Sequence, residues 1–280
     1  AASDVYKRQG TDYIGEAGWP SHGWPAGLFD ICMVEKPRAA FHRAMWNDKP
    51  MVRIAVRDNA LDIDHGRDLW QWPNMAAIWN FPRAYEGLVI EVNTTTNCER
   101  VALFHNGNEM GVRRTADYPN HTITWYLPYR RGTLVAKGIN GTDTVAVHEI
   151  RTAGDAVKLK AIADRGKLMA DGQDLSYVQV ELLDQDGTLV QHADRRVKAS
   201  IEGEGRLVGF ISSDLRRKTP FTSHEDKTYF GRAMAIVQST RKVGTIRLRF
   251  DVEGWDEPVW VELTSEALPK DYVSDIPSFR

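Results

Sequence analysis

What this chain has little of narrows it first. Two cysteines, Cys32 and Cys98, stand far apart in 280 residues, with no C-x-x-C spacing. That excludes a disulfide-built scaffold and a thiol redox motif, and leaves either one disulfide or, the favoured reading, two buried free thiols. The eight histidines are dispersed, with no pair at metal-ligand spacing, so neither a metal nor a cofactor is expected. No apolar run approaches the roughly eighteen residues that would cross a bilayer, and no membrane partner is expected. Charge of one sign is also missing: the formal net charge is −2. Basic groups such as Arg113-Arg114, Arg130-Arg131 and Arg216-Arg217-Lys218 are separated by acidic residues, which reads as solvated surface. Nucleic acid is therefore not an expected partner.

What is there is ordinary for a globular chain. With 42% apolar and 26% charged residues it can bury a real core, and its length suggests about two domains. Residues 1–9 (AASDVYKRQ) are polar and read as a foreign or disordered tail, set aside from fold reasoning. Then comes a dense stretch, Gly10-Thr-Asp-Tyr-Ile-Gly-Glu-Ala-Gly-Trp-Pro-Ser-His-Gly-Trp24, closing on Gly27-Leu-Phe-Asp30. Taken by composition it is an irregular Gly/Pro/Trp loop. Taken by chemistry, Asp12 and Glu16 beside Tyr13 and Trp19 suit a sugar, whose C–H faces stack on rings while its hydroxyls need polar partners. Pro37–Trp46 (PRAAFHRAMW) then predicts a helix, with proline in its first turn and Ala40, Phe41, Ala44 and Met45 at helical spacing. Pro50 ends it. Such a short helix must pack on something larger: a barrel upstream or the β-structure that follows.

The order D-Y-I-G-E-x-G-W-P, G-x-F-D, K-P-R and W-x-D-K-P (Asp12–Pro20, Gly27–Asp30, Lys36–Arg38 and Trp46–Pro50) resembles the end of the catalytic barrel in glycoside hydrolase family 2, the β-galactosidase-like enzymes. The resemblance implies a last barrel strand, a loop over the active site and a last barrel helix across residues 10–50. It also implies β-sandwich domains after them.

The residues downstream agree with that order on their own terms. Met51–Val56, Leu88–Val92, Val101–Phe104, Thr122–Tyr126, Leu134–Ile139 and Val145–Ile150 are short alternating or apolar runs without helices between them, which favours an antiparallel sandwich over 51–152. Asn106-Gly107 signals a type I′ hairpin. The tryptophans at 70, 72 and 79 form either a packed loop or a sugar platform. A second sandwich, immunoglobulin-like, is expected over 155–265. Its strand candidates are Val157–Ala161, Tyr177–Leu183, Val197–Ile201, Leu207–Ile211, Ala233–Gln238, Thr245–Val252 and Val259–Leu263, with Asp186-Gly187 as a second turn signal. Residues 266–280 read as a tail. Three further phrases resemble the family's sandwich domains: Trp125–Pro128 with Arg131–Ala136, Ala170–Val178, and Phe230–Val237. The fold class expected is thus mainly β: two sandwiches preceded by the last strand, loop and helix of a truncated (β/α)8 barrel.

Retaining glycosidases need two carboxyl groups about 5–5.5 Å apart. Asp12 and Glu16 tempt that assignment, but a turn at Gly15 sends them apart, and the family resemblance implies that both catalytic glutamates lie on earlier barrel strands. No catalytic residue is assigned here; Asp12, Tyr13, Glu16 and Trp19 are candidates for substrate contact at the rim. The expected partners are a β-glycoside substrate and the protein's own N-terminal domains, with the oligomeric state open. Export from a bacterium is implied by the resemblance alone. A second class, a non-catalytic carbohydrate-binding or structural pair of sandwiches, predicts exposed, coplanar tryptophans among Trp70, Trp72, Trp79 and Trp255.

Overall fold

A computed structural model of the chain describes residues 27–57 and 75–269. They divide into two compact units. The first takes the described residues up to Val157, together with the later stretches 183–193 and 213–218. The second takes 158–182, 194–212 and the described residues from Thr219 on.

The first unit is a helix on a two-sheet sandwich. One sheet runs in the order β2 (Met75–Ala76), β1 (Val52–Arg57), β3 (Val89–Thr96), β6 (Thr122–Pro128). The other runs β5 (Asn108–Arg114), β4 (Arg100–His105), β7 (Thr133–Asn140), β8 (Asp143–Arg151). All these pairings are antiparallel. Side chains alternate across a strand, so Val52, Ile54 and Val56 of β1 and Ile90 and Val92 of β3 meet Val101, Leu103, Leu134 and Ala136 of the facing sheet in one apolar core. Burying each of the larger of these contributes roughly 1.5–3 kcal/mol relative to exposure.

β3 is hidden on both faces from Val92 on, because α1 (Pro37–Trp46) covers its outer side. Ala39, Ala40 and Ala44 are the helix's buried residues, and β1 and β3 place Ala55, Asn93 and Thr95, all buried, on the covered face. The inward stripe is rotated from the one expected from spacing. Met45 and Trp46 are 46% and 77% exposed; alanine methyls allow the close approach to a sheet that Phe41 and Met45 would prevent. Asn97 fastens the helix exit: its amide donates to the carbonyls of Asn47 and Lys49 and its oxygen accepts from Met51 N–H.

The second unit is another sandwich. Its sheets run β10 (Lys167–Met169), β17 (Val259–Glu266), β16 (Gly244–Val252), β12 (Arg196–Gly203), β14 (Glu225–Lys227), and β13 (Gly205–Ile211), β15 (Arg232–Ser239), β11 (Leu175–Leu183), β9 (Lys158–Ala163). β10 and β17 pair in parallel. Val178, Val180, Ala235, Val237, Leu248 and Phe250 are fully or almost fully buried, so apolar packing stands where an inter-sheet disulfide would otherwise be. Cys32 and Cys98, both in the first unit, are buried and not joined in a disulfide.

Every strand run named from the sequence in the two sandwiches falls on an observed strand, and the barrel strand expected ahead of the helix lies outside the described residues. β2, β10 and β14 were not anticipated, being two or three residues long. β5 was implied by the Asn106-Gly107 hairpin without being bounded. β17 runs to Glu266, one residue into the stretch read as a tail.

Candidate functional site

The four substrate-contact candidates, Asp12, Tyr13, Glu16 and Trp19, lie outside the described residues, as do Trp70 and Trp72. The described part of the same phrase begins at Gly27 and shows how the segment is anchored. Lys36 N–H bonds to Leu28 O, Asp30 N–H to Val34 O and Met33 N–H to Asp30 O, closing a tight turn bridged by Phe29 and Glu35. The Asp30 carboxylate sits inside the turn and accepts Cys32 N–H at 2.9 Å and Val34 N–H at 2.8 Å through one oxygen. Ser213 adds a side-chain hydrogen bond, and buried Lys36 a favourable charge. Burial nevertheless dominates and raises the Asp30 pKa above the ordinary carboxylate value. Its role is to organise main-chain donors.

Behind this turn lies a cavity of about 110 Å³, under the start of α1. Glu35, Lys36, Pro37 and Ala40 form one wall; Arg53, Ile54, Ala55, Ala77, Thr95 and His148 form the rest. Glu35 reaches Arg43 at 3.2 Å. His148 comes from β8 and accepts the N–H of Ile54 on its Nδ1 at 3.0 Å. A ring nitrogen that accepts is unprotonated, so the proton sits on Nε2. Burial, with Arg53 nearby, lowers the His148 pKa to about 4. The cavity's chemistry is therefore modest. Among the described residues lining it Glu35 is the one carboxylate, so it holds no acid/nucleophile pair. Among the described residues no cluster of histidine, cysteine or carboxylate side chains could hold a metal.

The aromatic residues separate packing from display. Trp79 is fully buried, donates its indole N–H to Arg130 O at 3.0 Å, and meets Phe81, His105 and Tyr129 edge-on. It is a core residue, and Trp255 is half-buried, so this pair forms no sugar platform. The Asn106-Gly107 turn has both residues at positive φ, 50° and 81°, as a type I′ hairpin requires. Asn106 also reaches out of its hairpin: its oxygen accepts Thr133 N–H at 2.7 Å and its amide donates to Arg131 O. Gly132, between those partners at φ +136°, has no room for a Cβ against the Asn106 side chain. Two phrases far apart in the chain are thus one structural device, which spacing alone did not reveal.

Comparisons with known proteins fit this architecture. Residues 159–258, most of the second sandwich, match the glycoside hydrolase family 2 C-terminal domain 5. Residues 87–146, within the first, match a domain of unknown function (DUF4982). Together with the relatives below, these matches support a C-terminal part of glycoside hydrolase family 2. Among its relatives, the β-galactosidase BoGH2A of Bacteroides ovatus is 28% identical over 95% of this chain and 29% of that protein. A β-galactosidase of Thermoanaerobacter pseudethanolicus is 30% identical over 55% of this chain and 21% of its own length. A crystal structure of a family 2 member from Bacteroides cellulosilyticus superposes with a TM-score of 0.79 at 29% identity, covering 91% of this chain and 35% of that one. The chain therefore spans about a third or less of the proteins it matches.

Proposed function

We propose that the whole protein is a retaining exo-β-glycosidase of the β-galactosidase type. Residues 10–50 form the end of its catalytic barrel, and residues 51–152 and 155–265 its two following sandwich domains. In this reading the acid/base and nucleophile glutamates lie on barrel strands outside this chain. Asp12, Tyr13, Glu16 and Trp19 contribute to the rim that receives the β-glycoside. The turn at Asp30 and the helix α1 anchor that rim to the first sandwich.

The observation that carries this reading is order. The barrel-end phrases stand directly before a sandwich onto which their helix packs, and a family 2 C-terminal domain follows. The names of the relatives, β-galactosidases and a putative β-glucuronidase of Formosa agariphila, supply the reaction class. The buried Trp79 counts against a module that displays tryptophans to sugar.

The test is hydrolysis of aryl β-galactoside, β-glucuronide and β-mannoside by this chain and by the parent enzyme that contains an upstream barrel. The chain is expected to give no turnover and the parent to act on one of the three. Turnover by the chain that disappears in Asp12→Asn or Glu16→Gln would place the catalytic pair in the opening stretch and overturn the assignment.

A further inference from the structure

A second cavity, of about 640 Å³, opens at one end of the first sandwich. That is within the range of small-molecule clefts. It is built from the turn between β3 and β4 and from the connection between β5 and β6, and nothing in the proposed hydrolytic reading uses it.

Its chemistry is dominated by Arg100 and Arg114. The two are directly opposite across β4 and β5. Thr115 N–H bonds to Glu99 O at 2.9 Å on the outer side of this pair. The pair is therefore of the non-hydrogen-bonded kind, in which side chains approach more closely. Like charges placed so are unfavourable. Arg100 is held by a bond to Gly141 O. Arg114, exposed, makes no hydrogen bond or ion pair among the described residues. Among the described lining residues the one carboxylate, Glu99, accepts Gly141 N–H at 2.9 Å. Arg100 and Arg114 thus both line one opening, with the Glu99 carboxylate engaged at the same Gly141 that holds Arg100.

The opposite lip adds polar atoms held in a costly backbone. Asn120 and His121 are consecutive non-glycine residues at φ 60° and 53°. Side chains other than glycine rarely adopt this region, and such strain clusters at functional sites. His121 Nδ1 lies 3.2 Å from Thr96 O and must donate to it. Its Nε2 is then an acceptor suited to a hydroxyl. The hydroxyl of Tyr118, on the same lining, accepts from Arg113 at 3.1 Å.

We propose that this groove binds an acidic saccharide. Arg100 and Arg114 take its carboxylate or sulfate ester, and Asn120 and His121 take its neighbouring hydroxyls. A guanidinium pair fits one planar or tetrahedral acid group, since its fork of donors matches those oxygens. The chain's net charge of −2 argues against a long polyanion tracked by phosphates. The choice of saccharide among acids rests on the carbohydrate activity proposed above; the site itself does not.

The experiment is calorimetric titration of this 280-residue chain with short oligosaccharides of three kinds: oligogalacturonate (carboxylate), sulfated galactan oligomers and neutral galactan oligomers. Binding is expected to one or both acidic ligands, identifying the acid group, and to fall as salt rises. Arg114→Ala, at an exposed and unpaired position, is expected to weaken it about tenfold, the value of one charge-assisted hydrogen bond of roughly 1.4 kcal/mol. Arg83→Ala, at the other end of the sandwich, is expected to leave it unchanged. Equal binding of neutral galactan, unchanged binding by Arg114→Ala in a variant of unchanged Tm, or no binding at all would each overturn the proposal. Because the titration needs no turnover, its failure leaves the hydrolytic reading standing, and loss of that reading leaves measured binding intact.

Discussion

Two turns of the first unit, one at Asp30 and one at Asp184, are built alike and behave oppositely. In each, the aspartate N–H bonds to a carbonyl four residues on, Val34 or Thr188, and its carbonyl accepts from the third residue, Met33 or Gly187. In each, one carboxylate oxygen accepts the N–H groups two and four residues ahead: Cys32 and Val34 for Asp30, Asp186 and Thr188 for Asp184. Both side chains are 5% exposed. Yet the Asp30 pKa is raised and the Asp184 pKa lowered. At Asp30 the loss of water outweighs its hydrogen bonds. At Asp184 burial also acts upward, but the N–H groups of Gly154, Thr188 and Asp186 and the Thr188 hydroxyl overcome it. The same loop is therefore stabilised by an ionised carboxylate in one place and strained by it in the other. Desolvation is the heavier at Asp30, where it outweighs the N–H groups of Cys32 and Val34, the Ser213 side chain and the Lys36 charge. Asp184 has in addition a third main-chain donor: Gly154 N–H reaches its second oxygen at 2.8 Å.

The comparison can be broken most forcefully at that donor. Asp184→Ala removes the acceptor of the Gly154, Asp186 and Thr188 N–H groups, which are partly buried, and is expected to cost about 2 kcal/mol, read as a lower urea midpoint. Asp30→Asn keeps an acceptor for Cys32 and Val34 while removing the buried charge. It is expected to stay within about 1 kcal/mol of the wild type at pH 7, with the sign favouring the variant. Matching losses in the two variants would show that the turns are equivalent after all.

The third residue of each turn gives a smaller, mirrored effect. Met33 stands at φ 61° where Gly187 stands at φ 83°. Met33→Gly is expected to raise stability by about 1 kcal/mol and Gly187→Ala to lower it by about the same. Thermal melting of the two variants side by side reads both. Acid titration sharpens the contrast further. With its folded pKa below the unfolded one, Asp184 contributes stability above the ordinary carboxylate range that is lost as pH falls through the folded value. Asp30, raised, contributes below the unfolded pKa and loses it as pH rises through the folded value. The difference in unfolding free energy between wild type and Asp184→Asn should therefore shrink on acidification. For Asp30→Asn it should move toward the wild type.

Much of this architecture is legible in residue order, and the exceptions have physical reasons. The Asn106-Gly107 turn is visible because a type I′ hairpin tolerates few other pairs. Asp186-Gly187 is visible as a turn but not as its kind: Gly187 alone is at positive φ, so the loop is a four-residue turn rather than a two-residue one. The twin at Asp30 is hidden, because methionine at the left-handed position breaks the pattern that glycine advertises. β10 and β14 escape because a three-residue ladder leaves no periodicity to read. The helix face shifts because shape, not hydrophobicity, selects what lies on β3. Of the cavity at Arg100 and Arg114 the sequence offers two scattered basic residues; only the β4–β5 register brings them face to face.

The imidazole of His148 has a further consequence for the edge of a sheet. Among the described residues β2 pairs with β1 only at Val56 and Arg57, and an unpaired strand edge is of the sort that recruits strands from other molecules. The histidine ring occupies the Ile54 position on that edge and acts as a stopper. It does so while neutral, a state its low pKa preserves down to about pH 4. Below that, the stopper carries a proton on the nitrogen that must accept, and the strand edge is open to self-association. Acid exposure of this protein should thus favour aggregation that begins at β1 before global unfolding.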